Sequence, residues 1–201
     1  MPLTRWSHSC VTVDDGSGVV VVDPGIWSEP EALLRADAVL LTHEHSDHAD
    51  VLRIVGSELP VWAPEGANLL GVPFHPVRAG EEFACAGFTV RALAGQHARV
   101  LPEHVTCSNL GYVIETAAGT IYHPGDALEL PAEAVQTVLV PLQASWLKTV
   151  EAVDFVRAVD PERAIGIHDG QINARAITSI GRWLTKSGCD GYRWVPPGHS
   201  V

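Results

Sequence analysis

Basic residues are scarce: 13 lysines and arginines stand against 24 aspartates and glutamates in 201 residues, a formal net charge of −11. Binding to a nucleic-acid backbone draws on cations that displace counterions from phosphates, so no nucleic-acid partner is expected. No apolar run reaches the roughly 20 residues that span a bilayer. The opening MPLTRWSHSC has no basic region followed by a long apolar stretch. A membrane partner is therefore not expected, and a cytoplasmic location is. Cys10, Cys85, Cys107 and Cys189 form no C-x-x-C pair, which argues against a zinc knuckle and against a disulfide framework. They read as small buried apolar residues. No repeat, low-complexity tract or linker interrupts the chain, so residues 1–201 are expected to form one domain.

What is present is a series of short apolar runs separated by glycine and proline. Residues 9–13 and 19–22 flank Asp-Asp-Gly-Ser-Gly and predict a β-hairpin, which Asp23-Pro24-Gly25 then breaks. A short helix is predicted over 30–34. The apolar run 38–41 shows no alternation and predicts a buried strand. Further strands are predicted at 61–63, 88–93, 110–114, 120–123, 137–140 and 164–167. Helical spacing of apolar residues predicts helices over 150–159 and 174–184. Periodicity alone gives mixed α and β, strand-rich, with helices concentrated late.

The densest chemistry follows the buried strand at 38–41. Thr42-His43-Glu44-His45-Ser46-Asp47-His48 places three imidazoles and a carboxylate in one loop, before a helix predicted to start near Ala49. Nitrogen and carboxylate donors at this density suit zinc, manganese or iron. In an extended segment alternate side chains share a face, so His43, His45 and Asp47 can point one way while His48 follows at the turn. A polar surface loop that scavenges metal is the bland alternative, and the flanking strand and helix argue against it.

Other candidates are less decided by the sequence. His97 follows Ala-Gly-Gln and reads as a ligand or a turn histidine, with His104 as its rival. Asp126 follows Pro-Gly, a favourable turn sequence, and His168 closes a predicted strand. His8 reads either as a residue that orients a ligand or touches substrate, or as a satisfied buried histidine. His123, close before Asp126, is the other outer candidate and could support a ligand or contact substrate. Trp146 and Lys148 lie between a strand and a helix, where they could serve as an apolar wall and an anion anchor or simply form a surface loop. His75 and His199 read as surface residues.

The order Asp23-Pro24-Gly25, His43-x-His45-x-Asp47-His48, Gly95-Gln96-His97, Tyr122-His123-Pro124-Gly125-Asp126 and Ile167-His168-Asp169 resembles the metallo-β-lactamase superfamily over nearly the whole chain. It is similar in particular to small bacterial hydrolases of the ascorbate-6-phosphate lactonase type. The resemblance implies an α+β fold, a four-layer αββα sandwich with the metal site at one edge of the two sheets. It implies two divalent metal ions, zinc foremost, with manganese or iron as alternatives. His43, His45 and His97 would hold the first, Asp47, His48 and His168 the second, and Asp126 would bridge them.

A metal-bridging hydroxide would then cleave an ester, lactone or phosphodiester bond of a small molecule, with Asp47 or Asp126 orienting it and taking its proton. The exported zinc-cysteine β-lactamases carry cysteine where Asp126 stands. Glyoxalase II has a helical substrate domain after the last ligand, and RNA-processing members carry extra arms and basic surfaces. A mononuclear iron persulfide dioxygenase and a non-catalytic metal-binding protein are the alternatives. The first differs in metal and oxygen use, and the second predicts missing ligands.

Overall fold

The computed structural model describes residues 3–103 and 105–201. In chain order the first half contains β1 (Leu3–Arg5), β2 (Val11–Asp14), β3 (Val19–Val22), a 3-10 turn (Pro30–Leu33), β4 (Ala38–Leu40), α1 (Val51–Ser57), β5 (Val61–Pro64), β6 (His75–Val77) and β7 (Glu82–Cys85). The second half contains β8 (Phe88–Gln96), β9 (Ser108–Thr116), β10 (Gly119–His123), β11 (Thr137–Pro141), α2 (Thr149–Val159), β12 (Arg163–Ile167), α3 (Ala174–Lys186), β13 (Tyr192–Arg193) and β14 (His199–Ser200). The strands form two seven-stranded sheets, ordered β14-β1-β2-β3-β4-β5-β6 and β13-β12-β11-β10-β9-β8-β7.

Each sheet changes character midway. The β14/β1, β1/β2 and β2/β3 pairs are antiparallel, and β3/β4, β4/β5 and β5/β6 are parallel. In the other sheet β7 to β10 pair antiparallel and β10 to β13 parallel. Parallel neighbours need a crossover, and α1, α2 and α3 supply three of them.

The runs without alternation are explained by burial on both faces. Val20 and Val22 of β3 point into the layer between the sheets, while Val21 points outward under the 3-10 turn and α1. On the other sheet Leu139 and Ile165 enter the central layer, while Val138, Val140 and Ala164 pack beneath Phe155, Val156, Ile180 and Leu184 of α2 and α3. This is the four-layer αββα sandwich that the resemblance implied.

The hairpin at 11–22, the 3-10 turn and all three helices lie where the sequence pattern placed them, within about two residues. Ser9 and Cys10 fall outside β2, because the chain turns through residues 7–9 before the strand begins. Five strands were not foreseen: β1, β6, β7, β13 and β14. Four of them are two or three residues long, and β7 has four; β6 also contains Pro76, tolerated because β6 is an edge strand. His75 and His199 are exposed as expected, although each lies in an edge strand. Cys10 and Cys85 are buried, whereas Cys107 and Cys189 are only partly so. No helix among the described residues is long and apolar enough to cross a membrane.

Candidate metal centre

Strands β1, β3, β8, β10, β11 and β12 deliver their C-terminal ends, with that of β4, to one edge of the sandwich. His8 follows β1, Asp23 follows β3, residues 43–48 follow β4, His97 follows β8, Asp126 follows β10, Trp146 follows β11 and His168 follows β12. Sites at strand C-termini are where loops can diverge from a rigid sheet. The sheets are tied at this edge by the Leu110 N–H donating to Thr42 O at 2.9 Å and the Tyr112 hydroxyl donating to Leu41 O at 2.9 Å.

Two clusters meet there. One contains His43, His45 and His97, and the other His8, Asp47, His48 and His168, each with candidate donor atoms within 4.8 Å of one another. Asp126 stands between them. Its Oδ1 lies 3.2 Å from His48 Nε2 and 3.1 Å from His168 Nε2, and its Oδ2 lies 3.4 Å from His97 Nε2. His43 joins it, since His43, His48 and Asp126 also have converging donor atoms. The structure thus brings together all seven residues named from the motifs.

The outer hydrogen bonds fix which nitrogen faces inward. Thr42 Oγ1 donates to Asp23 Oδ2 at 2.7 Å, so the hydroxyl accepts from His43 Nδ1 at 3.0 Å. His48 Nδ1 donates to Asp23 Oδ2 at 2.7 Å, His97 Nδ1 to Ala98 O at 2.7 Å, and His168 Nδ1 to Gln143 O. Each ring therefore carries its proton on Nδ1 and turns the Nε2 lone pair into the site, the arrangement that orients a metal-binding imidazole. His43 Nε2, His48 Nε2 and Asp126 Oδ1 are buried without a hydrogen-bond partner. Unpaired lone pairs are costly in a protein interior, and here they point at one another, which is what a cation would satisfy.

The electrostatics agree. Burial pushes the His43 imidazole well below its ordinary value, and burial with neighbouring His97 lowers His45. Both therefore stay neutral with lone pairs available. Burial opposes a charged His48, yet Asp126 and Asp23 outweigh it and raise that imidazole well above its ordinary value, a pull on positive charge that a cation at Nε2 would answer in place of a proton. Burial likewise opposes ionisation of Asp126, but His48, His168 and His97 keep it far below the usual carboxylate range. Asp47 is held at about 2, burial being overcome by the hydrogen bond from His8 and by the positive charge of His48. The fixed negative charge of the site favours positive charge at its centre.

Four further candidates receive definite places. His8 is buried beside Asp47, with Nε2 3.2 Å from Asp47 Oδ2. Trp146 is at the site, its indole N–H donating to Asp126 Oδ2 at 3.0 Å, a polar contact that the reading as an apolar wall did not include. Of the two readings of His123, the structure fits the outer one: it is fully buried, with Nε2 donating to Ser9 O at 2.8 Å and 3.8 Å from Asp23 Oδ2, and Nδ1 accepting from the Gly125 N–H at 3.1 Å. The Lys148 side chain is 80 % exposed and its ammonium sits 3.6 Å from Glu151 Oε1 in the first turn of α2, a surface ion pair rather than a buried anchor. Lys148→Ala is accordingly expected to change KM for anionic and neutral substrates equally little, within about twofold, as for a surface residue uninvolved in binding. Steady-state kinetics with a matched pair of substrates checks this. His104 lies outside the described residues.

Several contributors were not named from the sequence. Asp23 is fully buried and accepts three hydrogen bonds, from the Thr42 N–H, the Thr42 hydroxyl and His48 Nδ1. Its Asp-Pro-Gly setting reads as a turn, and only burial reveals its role. Gly25 lets that turn press against the histidine loop, since a Cβ there would lie 1.8 Å from Asp47 O. Asn109 accepts from the Asp126 N–H at 2.9 Å and donates to Pro124 O at 2.9 Å. Asp169 pairs with buried Arg5 and accepts from Trp194 Nε1 at 2.7 Å, tying the strand before His8 to the loop after His168. Asp23, His8 and His168 have φ of 52°, 60° and 56°, a left-handed backbone that non-glycine residues rarely adopt and that concentrates at functional sites.

A model of the β-lactamase superfamily domain matches residues 2–168. Protein Rv0786c of Mycobacterium tuberculosis is 38 % identical over 188 residues, spanning 88 % of this chain and 89 % of its own. A UPF0173 metal-dependent hydrolase of Carboxydothermus hydrogenoformans is 25 % identical over 196 residues, spanning 84 % of each chain. The solved structure of Igni18, a metallo hydrolase from the archaeon Ignicoccus hospitalis, superposes with a TM-score of 0.74 at 20 % identity, over 99 % of this chain and 96 % of that one.

Proposed function

Because this chain belongs to the β-lactamase superfamily, we propose that it is a dinuclear metal-dependent hydrolase of small molecules. The observation that carries the reading is Asp126, a buried carboxylate within 3.4 Å of imidazole nitrogens from both histidine clusters. His43, His45 and His97 would hold one divalent cation, Asp47, His48 and His168 the other, and Asp126 would contact both. Zinc suits this nitrogen-rich set, and manganese or iron would also be accepted.

Two such cations supply an activated water at neutral pH and polarise the bond to be broken. The chain's own groups do the rest. Outer hydrogen bonds donated by the histidine Nδ1–H groups to Asp23, Thr42, Ala98 and Gln143 hold the rings so that no reorganisation is needed when charge develops. Asp126 and Asp47, both held as carboxylates, can accept a proton from water and return it to the leaving group. The indole N–H of Trp146, 3.0 Å from Asp126 Oδ2, fixes that carboxylate's orientation. An ester, lactone or phosphodiester is the proposed class of substrate, and no nucleophilic serine or cysteine is required.

Screening the purified chain, reconstituted with zinc, manganese or iron, against lactones, phosphodiesters and thioesters tests the proposal. Metal-dependent turnover of one class, abolished by a chelator and restored by the metal, is expected. Oxygen consumption with glutathione persulfide and no hydrolysis would replace it with a redox function.

A further inference from the structure

Among the site's histidines, His8 is bonded differently from those whose Nδ1 donates outward. Its Nδ1 accepts from the backbone N–H of Gly170 at 3.2 Å, and its Nε2 lies 3.2 Å from Asp47 Oδ2. A neutral imidazole has one donor and one acceptor nitrogen. Since a backbone N–H can only donate, Nδ1 carries the lone pair and Nε2 carries the proton. The nitrogen nearest the metal cluster is thus a donor and cannot itself ligate.

We propose that His8 is a positioning residue that donates from Nε2 to Asp47 Oδ2 and so presents Asp47 to the second metal through its remaining oxygen. The proposal rests on the hydrolase reading above, deepening the account of that site.

The setting is built to hold the ring. His8 is 1 % exposed, with its ring 3.9 Å from that of His168 and 4.7 Å from that of Trp27, centroid to centroid. Its backbone N–H donates to Asp169 Oδ1 at 3.1 Å, and its carbonyl accepts from the His168 N–H at 2.9 Å, which together support the left-handed φ of 60°. Gly170 permits the close approach, because a Cβ there would lie 3.0 Å from His8 Nδ1 and 2.9 Å from the Trp27 ring. Asp47, by contrast, is only partly buried and sits in a loop, where the bond from His8 holds its carboxylate. A hydrogen bond from outside the coordination sphere is typically worth about 10- to 100-fold in metal affinity.

The test measures zinc affinity at both sites by chelator competition in the wild type, His8→Ala, His8→Gln, Asp47→Ala and the His8→Ala/Asp47→Ala double variant. His8→Ala should weaken the second zinc about 10- to 100-fold and the first less than about threefold. His8→Gln, which retains an N–H near the Nε2 position, should recover most of the loss. In the Asp47→Ala background His8→Ala should cost nothing more, the non-additivity expected when one residue acts through the other.

Nitrogen NMR of the imidazole, independent of activity and of metal, should show Nε2 protonated in the wild type. Equal weakening of both zincs, an additive double variant, or an unprotonated His8 Nε2 would overturn the proposal. No rescue by glutamine would do so as well and would make His8 a ligand or a packing residue. If the wild type binds less than one zinc, the hydrolase reading fails and takes this inference with it. Two zincs in the wild type with no His8 effect leave the hydrolase reading standing and remove only the inference.

Discussion

Asp126→Asn should lose at least one metal and at least about 100-fold in turnover, the scale seen when a preorganised electrostatic contact to the transition state is removed. The substitution preserves shape, and the backbone N–H of residue 126 can still donate to Asn109 Oδ1 at 2.9 Å. What changes is charge. The carboxylate faces His48, His97 and His168 at 3.1 to 3.4 Å and accepts from Trp146. An amide is neutral and donates on one side, so it cannot balance two cations. Folding should survive, and the thermal midpoint in excess chelator should stay close to that of the wild type in chelator. Without chelator it should fall, because bound metal no longer stabilises the native state as strongly. Elemental analysis, kinetics and thermal melts measure the three effects, and two retained metals with near-normal turnover would reduce Asp126 to a turn residue.

Asp23→Asn should be nearly as severe although Asp23 touches neither cluster's inward-facing atoms. Its carboxylate accepts three hydrogen bonds in a fully buried position. An asparagine oxygen can keep the bond from the Thr42 N–H, but its amide N–H₂ then meets the Thr42 hydroxyl and His48 Nδ1, both donors. His48 would lose its partner or move its proton to Nε2, the nitrogen that faces Asp126. Affinity for the second metal should fall about 10- to 100-fold, and stability by about 3 kcal/mol, as when one partner of a buried pair is removed. Chelator competition and denaturant unfolding check both. Unchanged second-site affinity would show that Asp23 merely shapes the turn.

The contrast between these two aspartates shows what the sequence made legible. Asp126 was named because its motif resembles a known pattern, and the same holds for His97 and His168, whose spacing alone left a turn or strand-end reading open. The His43 to His48 loop stood out by donor density. Asp23 sat in plain view in Asp-Pro-Gly but reads as a breaker, because what makes it functional is a partner 25 residues away and total exclusion from water. Arg5, Asp169 and Trp194 form their network only when the first strand meets the last loops, and no local pattern encodes that pairing.

The fold divides the same way. Runs such as 19–22 and 137–140 announce strands covered on both faces, whereas β13 and β14 are two-residue pairings set by their neighbours. For Lys148 and His123, sequence proximity to a site says nothing of direction. Lys148 turns to the first turn of its own helix, and His123 turns inward to Ser9.

The central claim is that these residues hold two metals. Elemental analysis of the chain after purification and reconstitution with zinc, manganese or iron tests it most directly. Close to two metal ions per chain are predicted. Less than half an equivalent, with all of these metals supplied, would contradict it.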